Sequence, residues 1–278
     1  MMKRFFVIAL FVLGLGQLYA QPVRDTAWTK VGYFGLKLTQ VSLSSWSAGG
    51  ESALAFDSQI TYSADFKRDR QLWQNRLELG YGLTKNDGKS ARKTNDKIYF
   101  ASTYGYQIYK TLYWSALLNF NTQFAKGYDY NIEDSDFISK FMAPGYLMIG
   151  TGVTWSPNKI FTATFTPASW RGTIVADSRL SDEGAFGVDK GKHLLSEFGA
   201  NLKAEVNYEF LPNMKVYSRL ELYSNYLKDP QNIDIRWEVQ LNMAINKWFS
   251  TTLSTNLLYD NEVMEEAGIA AEPVTLGV

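Results

Sequence analysis

Between Glu197 and Asp260 the chain alternates apolar and polar residues through four successive segments, a periodicity of two that belongs to strands. In the first, Phe198, Ala200, Leu202, Ala204, Val206, Tyr208 and Phe210 fall on one face. Glu197, Asn201, Lys203, Glu205, Asn207 and Glu209 fall on the other. The pattern resumes after Leu211-Pro212-Asn213, with Val216, Leu220, Leu222 and Tyr226 opposite Lys215, Arg219, Glu221 and Asn225. A third segment, Ile233–Ile245, sets Trp237, Val239 and Leu241 against Asp234, Arg236, Glu238 and Gln240, and a fourth, Phe249–Tyr259, alternates with Ser250, Thr252, Ser254 and Asn256.

Long strands with one apolar and one charged face suit two architectures. A soluble sandwich would bury the apolar face against a second sheet, with shorter strands and Val or Ile in its core. An outer-membrane barrel turns the apolar face to lipid and lines a lumen with the polar one. Consecutive inward ionic residues favour the barrel.

The rest of the chain sharpens that choice. Lys3 and Arg4, the apolar run Phe5–Leu15 and Leu18-Tyr19-Ala20 form an export signal over residues 1–20, leaving residues 21–278 as one mature domain. The apolar run is too short for a spanning helix. There is no cysteine, which excludes disulfides, thiolate metal sites and a lipidated N-terminal cysteine. Of 28 basic and 28 acidic residues, two basic ones leave with the signal, so the mature chain carries no basic excess to bind nucleic acid. The 17 Phe, 17 Tyr and 8 Trp provide for aromatic girdles.

Seven earlier segments read as strands: Trp28–Leu43, Ser52–Phe66, Gln71–Thr84, Lys97–Tyr109, Thr111–Phe124, Tyr146–Trp155 and Ile160–Thr166. Their connections sort into two sets. Lys67–Arg70, Lys110, Ser156–Lys159, Leu211–Asn213 and Asn246–Trp248 are tight; the alternate set is mostly long, with Lys85–Asp96, Ala125–Gly145 and Pro167–Leu195, and Leu227–Asn232 among its shortest. Short turns on one rim and long loops on the other are the signature of an outer-membrane barrel. The expected fold is therefore all-β: a single transmembrane antiparallel up-and-down barrel of about 12 strands, range 10–14, with short periplasmic turns and long extracellular loops. Eleven strands are legible, and Val274–Val278 is the candidate for a twelfth.

An ordered set of motifs carries a family resemblance. It comprises Trp46–Gly50, Asn75–Gly82, Arg92–Asp96, Thr122–Tyr128, Phe141–Tyr146 and Leu257–Asp260. Together they resemble an exported family of Bacteroidota known as domain of unknown function 3078, over nearly the whole mature chain. The resemblance implies an outer-membrane-type barrel in a Gram-negative envelope and brings no catalytic residues.

Little in the sequence suggests chemistry. The one histidine, His193, is separated from Ser196 by a spacing that puts them on opposite faces of an extended chain. Glu133, Asp134, Asp136, Asp182 and Glu183 match no defined calcium loop, and Glu262, Glu265 and Glu266 read as loop solubility. Arg92–Asp96 reads as an external basic loop, solvated in preference to binding lipopolysaccharide phosphates, and Trp46–Gly50 as a hairpin turn.

The candidate lumen-lining residues are Arg76, Glu78, Lys203, Glu205, Arg219, Glu221, Arg236 and Glu238. Their mixed signs suit an ionic plug, or a narrow and weakly selective channel. The functional expectation is a porin-like barrel, narrow or largely plugged, in the outer membrane. It is expected to have no enzymatic activity, metal or cofactor, and outer-membrane lipid, and in places lipopolysaccharide, as its surroundings. The alternative is a structural or interaction protein whose loops or outer wall bind other envelope components.

Overall fold

The computed structural model describes residues 27–42, 51–132, 135–244 and 250–259. It is all-β. Eleven long strands form one antiparallel sheet in which every strand pairs with the long strands before and after it in the chain. They are β1 (Trp28–Val41), β2 (Ala53–Arg68), β3 (Gln71–Asn86), β4 (Arg92–Tyr109), β5 (Leu112–Thr122), β8 (Gly145–Trp155), β9 (Phe161–Ile174), β10 (Leu194–Leu211), β11 (Met214–Asn225), β12 (Ile233–Ala244) and β13 (Ser250–Tyr259). Two short strands, β6 (Gly127–Tyr128) and β7 (Phe137–Ser139), pair with each other in the connection from β5 to β8. β1 and β13 are the ends of the sheet and are not bonded to each other. The candidate twelfth strand, the export signal, Trp46–Gly50, Glu133 and Asp134, and the glutamates after Asp260 lie outside the described residues.

The two-residue period sorts the faces. Thr61, Glu78, Tyr99, Asn121, Tyr146 and Thr173 are successive partners across β2 to β9, and so share one face. Glu205, Arg219 and Glu238 continue that face on β10 to β12. Ser115, Thr154, Thr164, Thr166, Ser169, Thr173, Glu197 and Asn201 are buried on it beside Tyr113, Leu117 and Tyr223, so this face is mostly polar with a few large apolar side chains. The opposite face exposes Phe34, Leu36, Leu38, Ile60, Ile149, Val153, Phe165, Leu202, Trp237, Leu253 and Leu257.

The polar face curls inward. Arg171 on β9 reaches Asp234 on β12 at 2.7 Å, passing β10 and β11. Tyr99 on β4 interacts electrostatically with Arg219 and Glu221 on β11, and Arg76 on β3 does so with Tyr217 on β11.

The turns explain the sorted rims. Asp69, Lys110 and Asn213, at the tight connections, adopt positive φ angles of 52°, 34° and 69°. Asn158 closes another by accepting from the Ile160 and Phe161 amides. On the outward face near this rim, aromatic rings cluster: Trp28 lies 5.3 Å from Phe66 and 5.9 Å from Trp73, and Trp155 lies 5.6 Å from Phe161.

Most strand limits shift by one to three residues from the sequence reading, and two shift further. β4 starts at Arg92, five residues early, so Arg92–Asp96 is strand and not a loop. Asp96 accepts from the Phe124 and Ala125 amides, and Lys93 bonds Asp96 and the Ala125 carbonyl, which ties the next loop to this strand. β9 passes through Pro167 to Ile174. Register shifts against both neighbours place a bulge at this point, where a proline without an amide hydrogen is tolerated. Gly152 on β8 faces that bulge, and a Cβ there would collide with the Phe165 carbonyl.

Candidate functional site

The inward charges form a ladder along the wall. Glu78 is the first junction, accepting from Arg76 Nε at 2.5 Å and Lys97 Nζ at 2.5 Å. Glu205 is the second, meeting Lys203 at 3.2 Å, Arg219 at 3.3 Å and the Tyr217 hydroxyl at 3.1 Å. Arg219 extends to Glu238 at 3.7 Å, and Glu221 pairs with Arg236 at 3.9 Å. All eight lumen-lining candidates thus lie on the inward face. They pair within one strand or with the next strand, and do not span the interior as bridges.

The contact that crosses strands belongs to residues outside that set. Arg171 donates through Nε and Nη2 to the two carboxylate oxygens of Glu197, both at 2.6 Å, in a fork-to-fork pair. Its Nη1 donates to Asp234 at 2.7 Å, and its guanidinium stacks 4.0 Å from the centre of the Tyr223 ring. Asn225 adds a third donor to Glu197 at 3.0 Å. Arg171 was hidden because Pro167 reads as the end of a strand. The renewed alternation Ser169, Arg171, Thr173 beyond it was the available signal.

Next to this cluster lies a cavity of about 420 Å³. Tyr99, Asn119, Asn121, Tyr146, Arg171 and Tyr223 line it from five strands. Phe186 and Gly187 line it from the connection between β9 and β10.

That connection is a folded cap. Its helix α1 (Ser178–Glu183) is capped by Asp177, which accepts from the Leu180 amide, and ends at Gly184 with φ of 78°. Val175, Leu180 and Val188 pack with Ala143 of the β5–β8 connection into a buried apolar core, flanked by Phe137, Phe186 and Leu195. Arg179 donates to the Phe137 carbonyl, and Lys140 pairs with Asp177 at 2.5 Å. The Lys140 ammonium, aided by the Leu180 amide, holds the Asp177 carboxyl below its usual range.

His193 sits within hydrogen-bonding distance (2.7 Å) of the Val175 carbonyl through Nδ1, while Ser196 accepts from Trp170 at 2.6 Å. The two are committed to different partners. Asp182 and Glu183 lie on α1, where Glu183 pairs with Arg179 at 2.7 Å. No three His, Asp or Glu side chains converge among the described residues.

Residues 38–128 match the family described as a protein of unknown function (DUF3078). The resemblance carried by the ordered motifs holds there. The match takes in Trp46–Gly50, Asn75–Gly82, Arg92–Asp96 and Thr122–Tyr128, and leaves out Phe141–Tyr146 and Leu257–Asp260. It is shorter than the nearly complete coverage expected from the motifs. Residues 170–268 instead match a second family of unknown function, DUF481, which encloses Arg171 and strands β10 to β13. No curated protein matches the chain.

Proposed function

We propose that the chain is a β-barrel of a Gram-negative outer membrane, with a narrow, largely plugged lumen of porin-like, transport type. One observation carries the reading: the same eleven strands expose an apolar face outward and hold a polar, ion-paired face inward. Strand length agrees with it. The 14 residues of β1 extend about 46 Å, or about 33 Å along an axis inclined by about 45°, enough for a hydrocarbon core of about 30 Å. Tryptophans near the short-turn rim fit a girdle at the interface. The commitments of His193 and Ser196 to separate partners favour a non-enzymatic role.

The test is conductance of the refolded mature chain in planar bilayers, beside a variant carrying Arg219→Ala and Arg236→Ala. A steady wild-type current that changes selectivity in the variant marks an open lumen lined by these groups. Current that appears only in the variant marks a plug. A chain that neither inserts nor shows heat-dependent mobility on electrophoresis overturns the reading, and a chain that inserts yet stays silent in both forms directs attention to its loops and envelope partners.

A further inference from the structure

We propose that the cavity beneath the cap binds an uncharged, polyhydroxylated solute of about disaccharide size. The inference rests on the barrel reading and adds the class of solute to it.

Charge comes first. Each ionic group at the cavity already has a counter-ion: Arg171 is held by Glu197 and Asp234, and Arg236 by Glu221. An anion would have to displace carboxylates from Arg171, while Arg236, 66% exposed and 3.9 Å from Glu221, is given over largely to solvent. A cation would have to displace the guanidiniums, and Glu197 already accepts three hydrogen bonds. Neither exchange is favourable in a partly desolvated site. A neutral solute makes no such demand.

Uncommitted polarity comes second. Asn119 and Asn121 stand two residues apart on the inward face of β5 and both line the cavity. Among the described residues their amides have no hydrogen-bond partner. Each offers two donors and an acceptor, the mixture that vicinal hydroxyls satisfy. Tyr99 and Tyr146 add aromatic rings against which the C–H face of a pyranose can lie, with Phe186 on the cap side. Aromatic walls with a few placed polar groups, in a volume of about 420 Å³, fall within the range of small-molecule sites. The Glu205–Arg219–Tyr217 cluster lies farther along the same strands toward the short turns, so the cavity occupies the long-loop end of the ionic ladder, with Glu221 and Arg236 in its wall.

The experiment is isothermal titration calorimetry on the refolded mature chain in detergent, after heat-dependent mobility confirms the barrel. The probes are maltose and sucrose, with glucose 6-phosphate and glucosamine as charged comparisons. We expect saturable binding of at least one disaccharide, weaker binding of both charged probes, and roughly tenfold or greater loss in a variant carrying Asn119→Ala and Asn121→Ala. Tyr146→Leu supplies an independent loss should the asparagine variant fail to refold. A confirmed barrel that binds neither disaccharide, or binds a charged probe more tightly, overturns the proposal and leaves the barrel reading intact. Failure to form a heat-modifiable, inserting species overturns the barrel reading and the solute proposal with it.

Discussion

Replacing Arg171 by Ala tests whether the ion cluster holds the sheet together or is merely accommodated by it. The substitution removes two hydrogen bonds to Glu197 and one to Asp234, and leaves Glu197, whose side chain is 5% exposed, without its cation. Three charge-assisted bonds at roughly 1.5–3 kcal/mol each set a gross ceiling of about 5–9 kcal/mol. Most of that is offset, because Arg171 no longer has to be desolvated in folding. Breaking one side of a buried pair costs about 3–5 kcal/mol net. Arg171 and Asp234 each keep 22% of their side-chain surface exposed, which places the expectation near the lower end, about 3 kcal/mol. With a urea dependence of about 3 kcal/mol per molar, the unfolding midpoint should fall by roughly 1 M. The assay is reversible urea unfolding in detergent or liposomes, followed by tryptophan fluorescence. Combining Arg171→Met with Glu197→Gln should recover part of the loss, since the more buried of the two stranded carboxylates is then gone while Asp234 keeps 22% exposure to water. An Arg171→Ala midpoint within about 0.2 M of wild type, equivalent to roughly 0.6 kcal/mol, would refute the reasoning and mean that the cluster is hydrated well enough to contribute little.

Other perturbations read other parts of the molecule. Gly152→Ala should destabilise by about 1–3 kcal/mol in the same assay, because its methyl meets the Phe165 backbone at the bulge and not a movable side chain. The cap should loosen in acid: a carboxyl held below its ordinary value contributes stability above that value and loses it as pH falls through the folded-state one, so protease protection of residues 175–193 should decline below pH 3.8. Asp177→Asn should remove that pH dependence while weakening protection at neutral pH. If the outer face meets lipid, brominated acyl chains should quench the tryptophan emission of the inserted chain strongly, and substituting Trp28 and Trp73 together should reduce the quenchable fraction.

How much of this could be read from sequence depends on where alternation survives. From Glu197 to Tyr259 it runs almost unbroken, so all but the first residues of β10, and β11 to β13, with the facing of Lys203, Glu205, Arg219, Glu221, Arg236 and Glu238, were legible. Arg76 and Glu78 were legible for the same reason on β3. At Pro167 the bulge shifts the inward set from Thr164 and Thr166 to Ser169 and Arg171, and a single period no longer fits. Arg171 was lost at that step, and with it the principal junction of the interior. Lys97 was placed in a strand but its pairing to Glu78 was not anticipated, since it joins diagonal positions on neighbouring strands. The cap left another kind of trace. Val175, Leu180 and Val188 share no period, and α1 has six residues, too few for a helical pattern; the Asp177 cap and Gly184 were its local marks.

The apolar core of the cap ties two distant connections to the register of the sheet. Its members come from two connections: Phe137 and Ala143 from one, Val175, Leu180 and Val188 from the other. Strands β8 and β9 separate them in the chain. They meet because pairing of β5, β8, β9 and β10 brings both to the same rim. The cap core is therefore a joint property of two connections and the four strands that bring them together. A one-residue slip between β8 and β9 would both invert the facing of the wall and shift Ala143 relative to Val175, so this apolar core fits only one register of the sheet beneath it.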